Sequence, residues 1–338
     1  MTAKTLVQIK DLKKHFPIRK GFFNKQVGAV RALDGINLDI IEGETLGLVG
    51  ESGCGKSTLG RVMLRLLPAT QGSVSFDGQE IMALDARAMK PLRKQMQIVF
   101  QNPYASLDPR MTIAQILAEP LEVHGMSKGT NAQGSNIKAE VTRLIELVGL
   151  PKEMLDRYPH EFSGGQRQRI GIARALALRP RLIVADEPVS ALDVSVQAQI
   201  LNLLLDLKKE FNLTYLFIAH NLDVVRYISD RIAVMYLGRI VEIGPCKEVY
   251  SQPLHPYAKA LISAAPVPDP NYDRSHRVLL QGDLPSPANP PPGCAFHTRC
   301  PIARDVCKVD TPPLREITPG HQSACHFAEE LLAEPKAV

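Results

Sequence analysis

The chain has 338 residues, of which 45% are hydrophobic and 22% are charged, with a formal net charge of +5. These values are typical of a globular protein long enough for one large and one smaller domain, and so mild a charge does not indicate an anionic partner. No stretch approaches the roughly 18 consecutive apolar residues of a membrane span, and the N-terminal residues lack a signal-peptide core, which predicts a cytosolic protein.

The predicted elements begin with two antiparallel strands, at residues 6–12 and 30–41, joined by a basic loop at 17–26. A short apolar strand at 45–49 is followed by a glycine-rich turn and a helix at 57–67. Further along the chain we expect strands at 72–76 and 98–100 and amphipathic helices at 113–121 and 139–148.

The second half alternates strands with helices. Strands are predicted at 182–185, 214–219 and 232–236, and helices at 168–177, 194–211 and 222–228. This alternation is typical of an α/β domain with a mainly parallel sheet core, to which the first strands add an antiparallel β subdomain. The predicted main domain covers residues 1–252, with a helical subdomain at about 102–175. Proline-rich linkers then introduce a C-terminal extension, 253–338, with a small cysteine-rich module at 294–325.

A phosphate-binding loop is predicted between the strand at 45–49 and the following helix. The sequence there fits the pattern G-x-x-x-x-G-K-[ST], and the strand before and helix after it are the context that this pattern needs. Lys56 would reach the β- and γ-phosphates of a nucleotide, and the Ser57 hydroxyl would bind Mg²⁺. Cys54 occupies a variable position. The predicted nucleotide-binding residues are Gly50, Glu51, Ser52, Gly53, Cys54, Gly55, Lys56, Ser57 and Thr58.

Polar side chains follow three of the predicted strands. Asp186 and Glu187 end the strand at 182–185, Gln101 follows the strand at 98–100, and His220 follows the strand at 214–219. Asp186 would hold Mg²⁺ through water, and Glu187 would orient or deprotonate the attacking water. Because ligands of such sheets bind beyond the carboxyl ends of the strands, Gln101, Glu187 and His220 are expected to converge on one γ-phosphate.

The segment Ser163-Gly164-Gly165-Gln166-Arg167 precedes a predicted helix. A serine and two glycines there could be an ordinary loop and helix cap, or a backbone surface that presses against a phosphate at the helix N-terminus. Its position between the other nucleotide motifs favours the second interpretation.

Together, these motifs resemble the nucleotide-binding subunit of the ABC transporter superfamily over roughly residues 5–250. The resemblance identifies residues 50–58 as the Walker A motif, Gln101 as the Q-loop and residues 163–167 as the signature. Residues 182–187 match Walker B, residues 190–193 the D-loop, and His220 the switch histidine. Phe16 aligns with the aromatic residue that stacks on adenine, where the family more often has Tyr or Trp.

The family resemblance implies a mechanism with two such domains facing each other head to tail. ATP bound at Lys56 of one chain would be completed by the signature of the other chain, so Ser163, Gly164, Gly165 and Gln166 would serve the partner's nucleotide. Gln101 would also contact the Mg²⁺ that Ser57 and Asp186 hold. ATP would drive closure of the pair, and hydrolysis would reopen it.

Residues 101–110, 188–199, 255–257 and 282–294 resemble the ATP-binding subunits of dipeptide, oligopeptide and nickel permeases, with the F-type subunit of dipeptide permeases nearest. This resemblance implies a peripheral protein on the cytoplasmic face of the inner membrane that powers uptake of dipeptides. Its partners would be two integral membrane permease subunits, a second homologous ATPase subunit and an extracytoplasmic peptide-binding protein, without nucleic acid. Nickel chelates, glutathione and longer oligopeptides remain alternative substrates.

Four cysteines, Cys294, Cys300, Cys307 and Cys325, crowd into the C-terminal extension. A cytosolic location argues against disulfides, and four thiolates suit Zn²⁺ or an iron–sulfur cluster. The spacings lack the tight pairs of zinc sites and fit a [4Fe-4S] cluster better, and the resemblance also implies such a cluster. Zinc and no metal are the alternatives, with His297, His321 and His326 as bystanders.

Two other classes of protein fit the sequence less well than a transport ATPase does. A soluble ABC ATPase of DNA repair or translation usually carries two cassettes or long inserted arms, and this chain has neither. A P-loop kinase would leave residues 163–167 unexplained.

Overall fold

The computed structural model describes residues 4–125, 137–264, 280 and 282–333. Within these ranges the chain forms twelve strands: β1 Thr5–Lys20, β2 Lys25–Ile41, β3 Thr45–Val49, β4 Gln71–Phe76, β5 Gln79–Glu80, β6 Met96–Val99, β7 Leu182–Asp186, β8 Thr214–Ile218, β9 Arg231–Tyr236, β10 Arg239–Pro245, β11 Arg315–Thr318 and β12 His321–Ser323.

The same ranges contain twelve α-helices: α1 Lys56–Met63, α2 Ala86–Gln95, α3 Pro103–Ser106, α4 Ile113–Val123, α5 Ile137–Leu147, α6 Gly164–Leu176, α7 Val194–Phe211, α8 Leu222–Ile228, α9 Cys246–Ser251, α10 Pro256–Ser263, α11 Asp305–Val309 and α12 Ala328–Leu332. None of the helices in the described ranges is long and apolar enough to cross a membrane.

The chain divides into two compact units, and the first comprises Met1–Ala83 and Ile218–Val338. One sheet of this unit is antiparallel and has the strand order β2-β1-β4-β5. A second sheet has the order β11-β12-β10-β9-β3, in which β3 and β9 are parallel and the other pairs are antiparallel. Strand β3 is buried along its whole length, as its unbroken apolar run predicts. This burial places the turn that follows β3 at the edge of a rigid core.

Helix α8 packs very closely against β3. A Cβ atom added to Gly47 would lie 2.4 Å from Val225 Cγ1 and 2.5 Å from Ser229 Oγ, so only glycine fits at this contact. This close contact fixes the position of the end of β3, and therefore of the turn that follows it, relative to α8.

The second unit comprises Leu84–Phe217. Its strands lie in the order β8-β7-β6, with β6 and β7 parallel, and both β7 and β8 are completely buried. Helices α4, α5 and α6 pack on one another through apolar stripes, which is the helical region that the sequence predicts.

The largest departure from the predicted elements is at the N-terminus. The basic segment 17–26, predicted as a loop, belongs mostly to a long β-hairpin in which β1 runs to Lys20 and β2 begins at Lys25. Cross-strand pairing continues as far as Lys20 and Lys25 through residues that carry no alternating apolar pattern, so the pattern could not reveal it. The short strands β11 and β12 were also not predicted, for the same reason.

Candidate functional site

The turn between β3 and α1 is the predicted phosphate-binding loop. Its glycines Gly50, Gly53 and Gly55 have φ values of 153°, 81° and 111°, a region that side-chain-bearing residues rarely adopt. A Cβ atom at Gly50 would lie 2.2 Å from the Met235 carbonyl oxygen, and one at Gly55 would lie 2.2 Å from the Ala32 carbonyl oxygen. Both conformation and packing therefore require glycine at these two positions.

Lys56 begins helix α1 and is only 5% exposed. Its Nζ atom donates hydrogen bonds to the carbonyl oxygens of Gly50, at 2.7 Å, and Glu51, at 3.0 Å. The ammonium group therefore lies inside the loop, where a positive charge would meet phosphate oxygens. Ser52 and Gly53 are exposed at the loop, and Ser57 and Thr58 lie half-buried in the first turn of α1.

Cys54, the variable residue of this loop, is a buried thiol. Its sulfur lies 3.8 Å from Lys56 Nζ, and burial raises the pKa of the thiol. A neutral, buried sulfur is a packing group.

Two residues distant in sequence hold Glu51, and neither was predicted to act at the loop. The Tyr257 hydroxyl accepts a hydrogen bond from the Glu51 N–H at 2.8 Å, and Arg299 donates two hydrogen bonds to the Glu51 carboxylate. Arg299 stands 248 positions from Glu51 in the sequence, and no local pattern announces a pair over that separation.

Two further predicted residues, His220 and Phe16, belong to the first unit. His220 is exposed and follows Ala219, whose N–H donates to the Leu48 carbonyl of β3 at 3.3 Å. The histidine therefore emerges beside the strand that leads into the loop. Phe16 lies on β1 with its ring 37% exposed, and Lys14 Nζ is 4.8 Å from the ring centroid.

In the second unit, the ends of β6 and β7 bring two predicted residues together. Gln101 Nε2 donates a hydrogen bond to Glu187 Oε2 at 2.8 Å. Asp186, the last residue of β7, is 1% exposed. Glu187 adopts φ = +47°, and its carbonyl accepts hydrogen bonds from the Ser190 N–H and hydroxyl. A glutamate in this sparsely populated conformation is held there by its surroundings, as is common at functional sites.

Residues 163–167 form the N-terminus of α6. The Ser163 hydroxyl accepts from the Gln166 N–H at 3.3 Å, and the Gln166 side chain accepts from the Ser163 N–H at 3.0 Å, which is a complete capping box. A Cβ atom at Gly165 would lie 2.4 Å from Val196 Cγ1, so glycine allows α6 to approach α7. The 13-residue helix directs the partial positive charge of its N-terminus at this segment.

Arg167 is held inward, a contact that the sequence did not predict. Its Nε atom donates to the Pro159 carbonyl at 2.6 Å, and its guanidinium lies 4.0 Å from the centroid of the Tyr104 ring. The tyrosine follows Gln101 by three residues, so this contact ties the start of α6 to the segment after the Q-loop position. The convergence of Gln101, Glu187 and His220 on one γ-phosphate stays a prediction.

The expected cysteine-rich metal centre is not supported by the geometry. Among the described residues, which include all four cysteines, no three His, Cys, Asp or Glu side chains are placed so that they could hold a metal ion. The thiols lie on separate parts of the extension, with Cys307 in α11 and Cys325 after β12. Burial raises the pKa of Cys300 to about 11 and that of Cys325 to about 12, so neutral thiols are favoured there.

The three histidines near the cysteines have other partners. His321 Nε2 lies 2.8 Å from the buried Glu242 carboxylate, His297 Nδ1 lies 2.9 Å from the Cys294 carbonyl, and His326 Nε2 lies 3.1 Å from the Asp310 carbonyl.

Comparison with known sequences agrees with the motifs. The family described as ABC transporter matches residues 33–190, and the family described as oligopeptide/dipeptide transporter, C-terminal region, matches residues 241–307. The chain is 54% identical to the oligopeptide transport ATP-binding protein AppF of Bacillus subtilis (strain 168), covering 97% of this chain and 99% of AppF. It is 52% identical to a putative peptide import ATP-binding protein of Brucella ovis, covering 96% and 98% of the two chains.

Comparison with solved structures gives the same fold. The ATP-binding cassette MJ0796, in a dimeric post-hydrolysis state bound to ADP and phosphate, matches with a TM-score of 0.62 and 28% identity. The match covers 71% of this chain and 99% of MJ0796. The fold is thus an ABC P-loop ATPase fold with a mixed sheet and helices. The chain belongs to the family of ABC transporter ATP-binding proteins, and its C-terminal region is that of the oligopeptide/dipeptide transporters.

Proposed function

We propose that this protein hydrolyses ATP to power the uptake of short peptides through an ABC importer. The names of its relatives and its C-terminal region support peptides as the cargo. The ATPase proposal depends mainly on the buried Lys56, which lies inside a loop that requires glycine at residues 50 and 55. The hydrogen bond between Gln101 and Glu187 supports it.

The loop residues account for nucleotide binding. On binding ATP, Lys56 would exchange its two carbonyl acceptors for phosphate oxygens, because a charged acceptor binds an ammonium group more strongly than a carbonyl does. The N–H groups of residues 50–58 would surround the phosphates, and Phe16 would stack on the adenine. The partly exposed Phe16 ring leaves a face for such a contact.

Ser57 and Asp186 would bind Mg²⁺, since a hydroxyl and a carboxylate are hard oxygen ligands. Mg²⁺ would neutralise phosphate charge during the transfer. Glu187 would accept a proton from the attacking water, and the Gln101 amide would hold the carboxylate in place and contact the metal. The His220 ring would donate to the γ-phosphate and report its loss.

The complete catalytic site is proposed to form between two chains. Ser163, Gly164, Gly165 and Gln166 would present the N-terminus of α6 to ATP on a second, homologous ATPase subunit. The assembly would contain two integral membrane permease subunits, with an extracytoplasmic peptide-binding protein delivering the cargo. The protein would lie on the cytoplasmic face of the inner membrane.

Dipeptides are the proposed substrate, and longer oligopeptides, glutathione and nickel chelates are the alternatives. For the domain organisation we propose an ATPase domain at 1–252, with its helical subdomain at about 102–175, and a C-terminal extension at 253–338. The match of the oligopeptide/dipeptide transporter C-terminal region begins at residue 241, close to this boundary.

A metal centre in the extension is a separate proposal. Burial and, to a smaller extent, the other three cysteines raise the pKa of the Cys325 thiol, which supports a common centre, although no three described side chains are placed to hold a metal ion. A [4Fe-4S] cluster would use these four sulfur atoms, and Zn²⁺ is the alternative. Iron, sulfide and zinc analysis of anaerobically purified protein decides between them, and protein free of all three would overturn the proposal.

The function is tested by reconstitution. The protein is expressed with its permease subunits, and the complex is placed in lipid vesicles with the binding protein. Dipeptide should be transported across the membrane only when ATP is present in the compartment that contains this subunit. Lys56→Ala should abolish this uptake without changing the amount of assembled complex. Co-purification of nucleic acid instead of permease subunits would favour a soluble ABC ATPase.

A further inference from the structure

Among the described residues, the C-terminal extension contacts the phosphate-binding loop at Glu51, through an ion pair with Arg299 and a hydrogen bond to the Tyr257 hydroxyl. Arg299 Nη1 donates to Glu51 Oε2 at 2.8 Å, and Nη2 donates to Oε1 at 3.0 Å, so the pair is bidentate. The Arg299 side chain is 8% exposed and that of Glu51 is 28% exposed. A bidentate arginine–carboxylate pair shielded from water is a strong and directional contact.

Glu51 is held at three of its groups at once. Its carboxylate is held by Arg299, its N–H donates to the Tyr257 hydroxyl at 2.8 Å, and its carbonyl accepts from Lys56 Nζ at 3.0 Å. The residue that Arg299 anchors therefore also positions the lysine that would bind the nucleotide. A shift of Glu51 would move the Lys56 ammonium and the peptide groups that surround the phosphates.

A buried aromatic cluster fixes the position of Arg299. The Arg299 N–H donates to the Phe296 carbonyl at 3.0 Å, and Phe296 is 1% exposed. The Phe296 ring centroid lies 5.2 Å from that of Tyr236 and 5.4 Å from that of Tyr257. The backbone turn that carries Arg299 is thus packed against β9 and α10, so the guanidinium reaches Glu51 from a rigid base.

We propose that Arg299 is a positioning residue of the phosphate-binding loop, through which the C-terminal extension sets the affinity of this subunit for ATP. This proposal rests on the proposed ATPase function. Arg299 acts through Glu51 and touches no reacting atom. Because the ion pair organises the loop before the nucleotide arrives, its loss adds an ordering cost to binding and leaves the chemical step unchanged.

The test measures MgATP binding to the full-length chain and steady-state hydrolysis by the assembled complex. Arg299→Met, which keeps the length of the side chain and removes the ion pair, should raise both the Kd and the KM for ATP about tenfold, with kcat unchanged at saturation. Arg299→Lys keeps the charge but loses the bidentate geometry. Its Kd and KM should lie between those of the wild-type chain and those of Arg299→Met.

A double-mutant cycle separates the pair from a general structural effect. Glu51→Gln should weaken ATP binding about as much as Arg299→Met does. The double variant should have a Kd for ATP no higher than that of the single variant with the higher Kd. Arg315→Met is the matched control, because Arg315 also makes a bidentate pair in the extension, with Glu329, away from the loop. This control should leave ATP binding unchanged.

Three results would overturn the proposal: wild-type Kd and KM in Arg299→Met, additive effects in the cycle, or a loss of kcat at unchanged KM. If Arg299→Met does not fold, Glu51→Gln carries the test from the loop side, and wild-type affinity in that variant would overturn the proposal. A wild-type chain that binds no ATP would instead contradict the proposed function.

Discussion

Gln101 Nε2 donates a hydrogen bond to Glu187 Oε2 at 2.8 Å, which couples the segment after β6 to the residue after β7. Strands β6 and β7 are parallel neighbours, so their carboxyl ends meet at one edge of the sheet. The amide donor orients the Glu187 carboxylate at this edge. This arrangement suits a general base whose orientation depends on a neighbour.

Glu187→Gln should lower ATP hydrolysis by the assembled complex at least about 100-fold, because an amide cannot take the proton of the attacking water. ATP binding should remain, since Glu187 is not part of the phosphate-binding loop. Hydrolysis is measured by phosphate release and binding by titration calorimetry. Glu146→Gln, at an exposed position of α5, is the control, and near-normal hydrolysis in Glu187→Gln would contradict the assigned role.

Gln101→Leu should lower kcat about tenfold while leaving the melting temperature unchanged, because the exposed side chain contributes an orienting hydrogen bond and little packing. Adding this change to Glu187→Gln should cost little more, since the two residues act as a unit. Phosphate release by the two single variants and the double variant checks this. Fully additive losses would show that the residues act independently.

Gly165→Ala should destabilise the protein by about 1–3 kcal/mol, because its Cβ atom would lie 2.4 Å from Val196 Cγ1 and force α6 away from α7. The double variant Gly165→Ala, Val196→Ala should recover most of this loss by removing the opposing methyl group. Equilibrium urea unfolding measures both. Gly164→Ala, whose Cβ atom would lie 3.3 Å from Leu192 Cδ2, should cost less.

Stability should fall below pH 6.5 because of His255. Burial lowers the pKa of this histidine from 6.5 to about 3, so the unfolded chain binds a proton in this window and the folded chain does not. The contribution of a histidine with a lowered pKa to the free energy of unfolding is therefore fully present above pH 6.5. It is lost as the pH falls below this value, by about 1.4 kcal/mol per pH unit.

His255→Asn is the control variant for this prediction. The His255 ring caps α10 by accepting a hydrogen bond from the Tyr257 N–H, and an asparagine side chain can still do so. Glu242, which pairs with His321, accepts a hydrogen bond from the His255 N–H in the wild-type chain, and the stability that comes from its raised pKa has the opposite dependence on pH. Urea unfolding at pH 7.5 and 5.5 should show the steeper loss in the wild-type chain. Equal slopes would contradict the assignment to His255.

Much of the site could be predicted because its motifs are local. The glycines of residues 50–58, the strand before them and the helix after them lie within about 20 positions, and the structure reproduces strand 45–49 and helix 194–211 at the predicted bounds. Local spacing determines local geometry, since turns and helix N-termini are built from neighbouring residues. The cysteine spacing was a weaker guide, because four separate positions become a metal site only if the fold brings the sulfur atoms together.

The sequence by itself determined that this chain carries the nucleotide motifs of an ABC ATPase, in order and in the right elements. Only the tertiary structure decided that Glu187 is held by Gln101, that Arg167 lies against Tyr104, and that Glu51 is anchored by Arg299. These contacts join residues far apart in the chain. The energy of each pair depends on distance and burial after folding, so no pattern along the sequence encodes it.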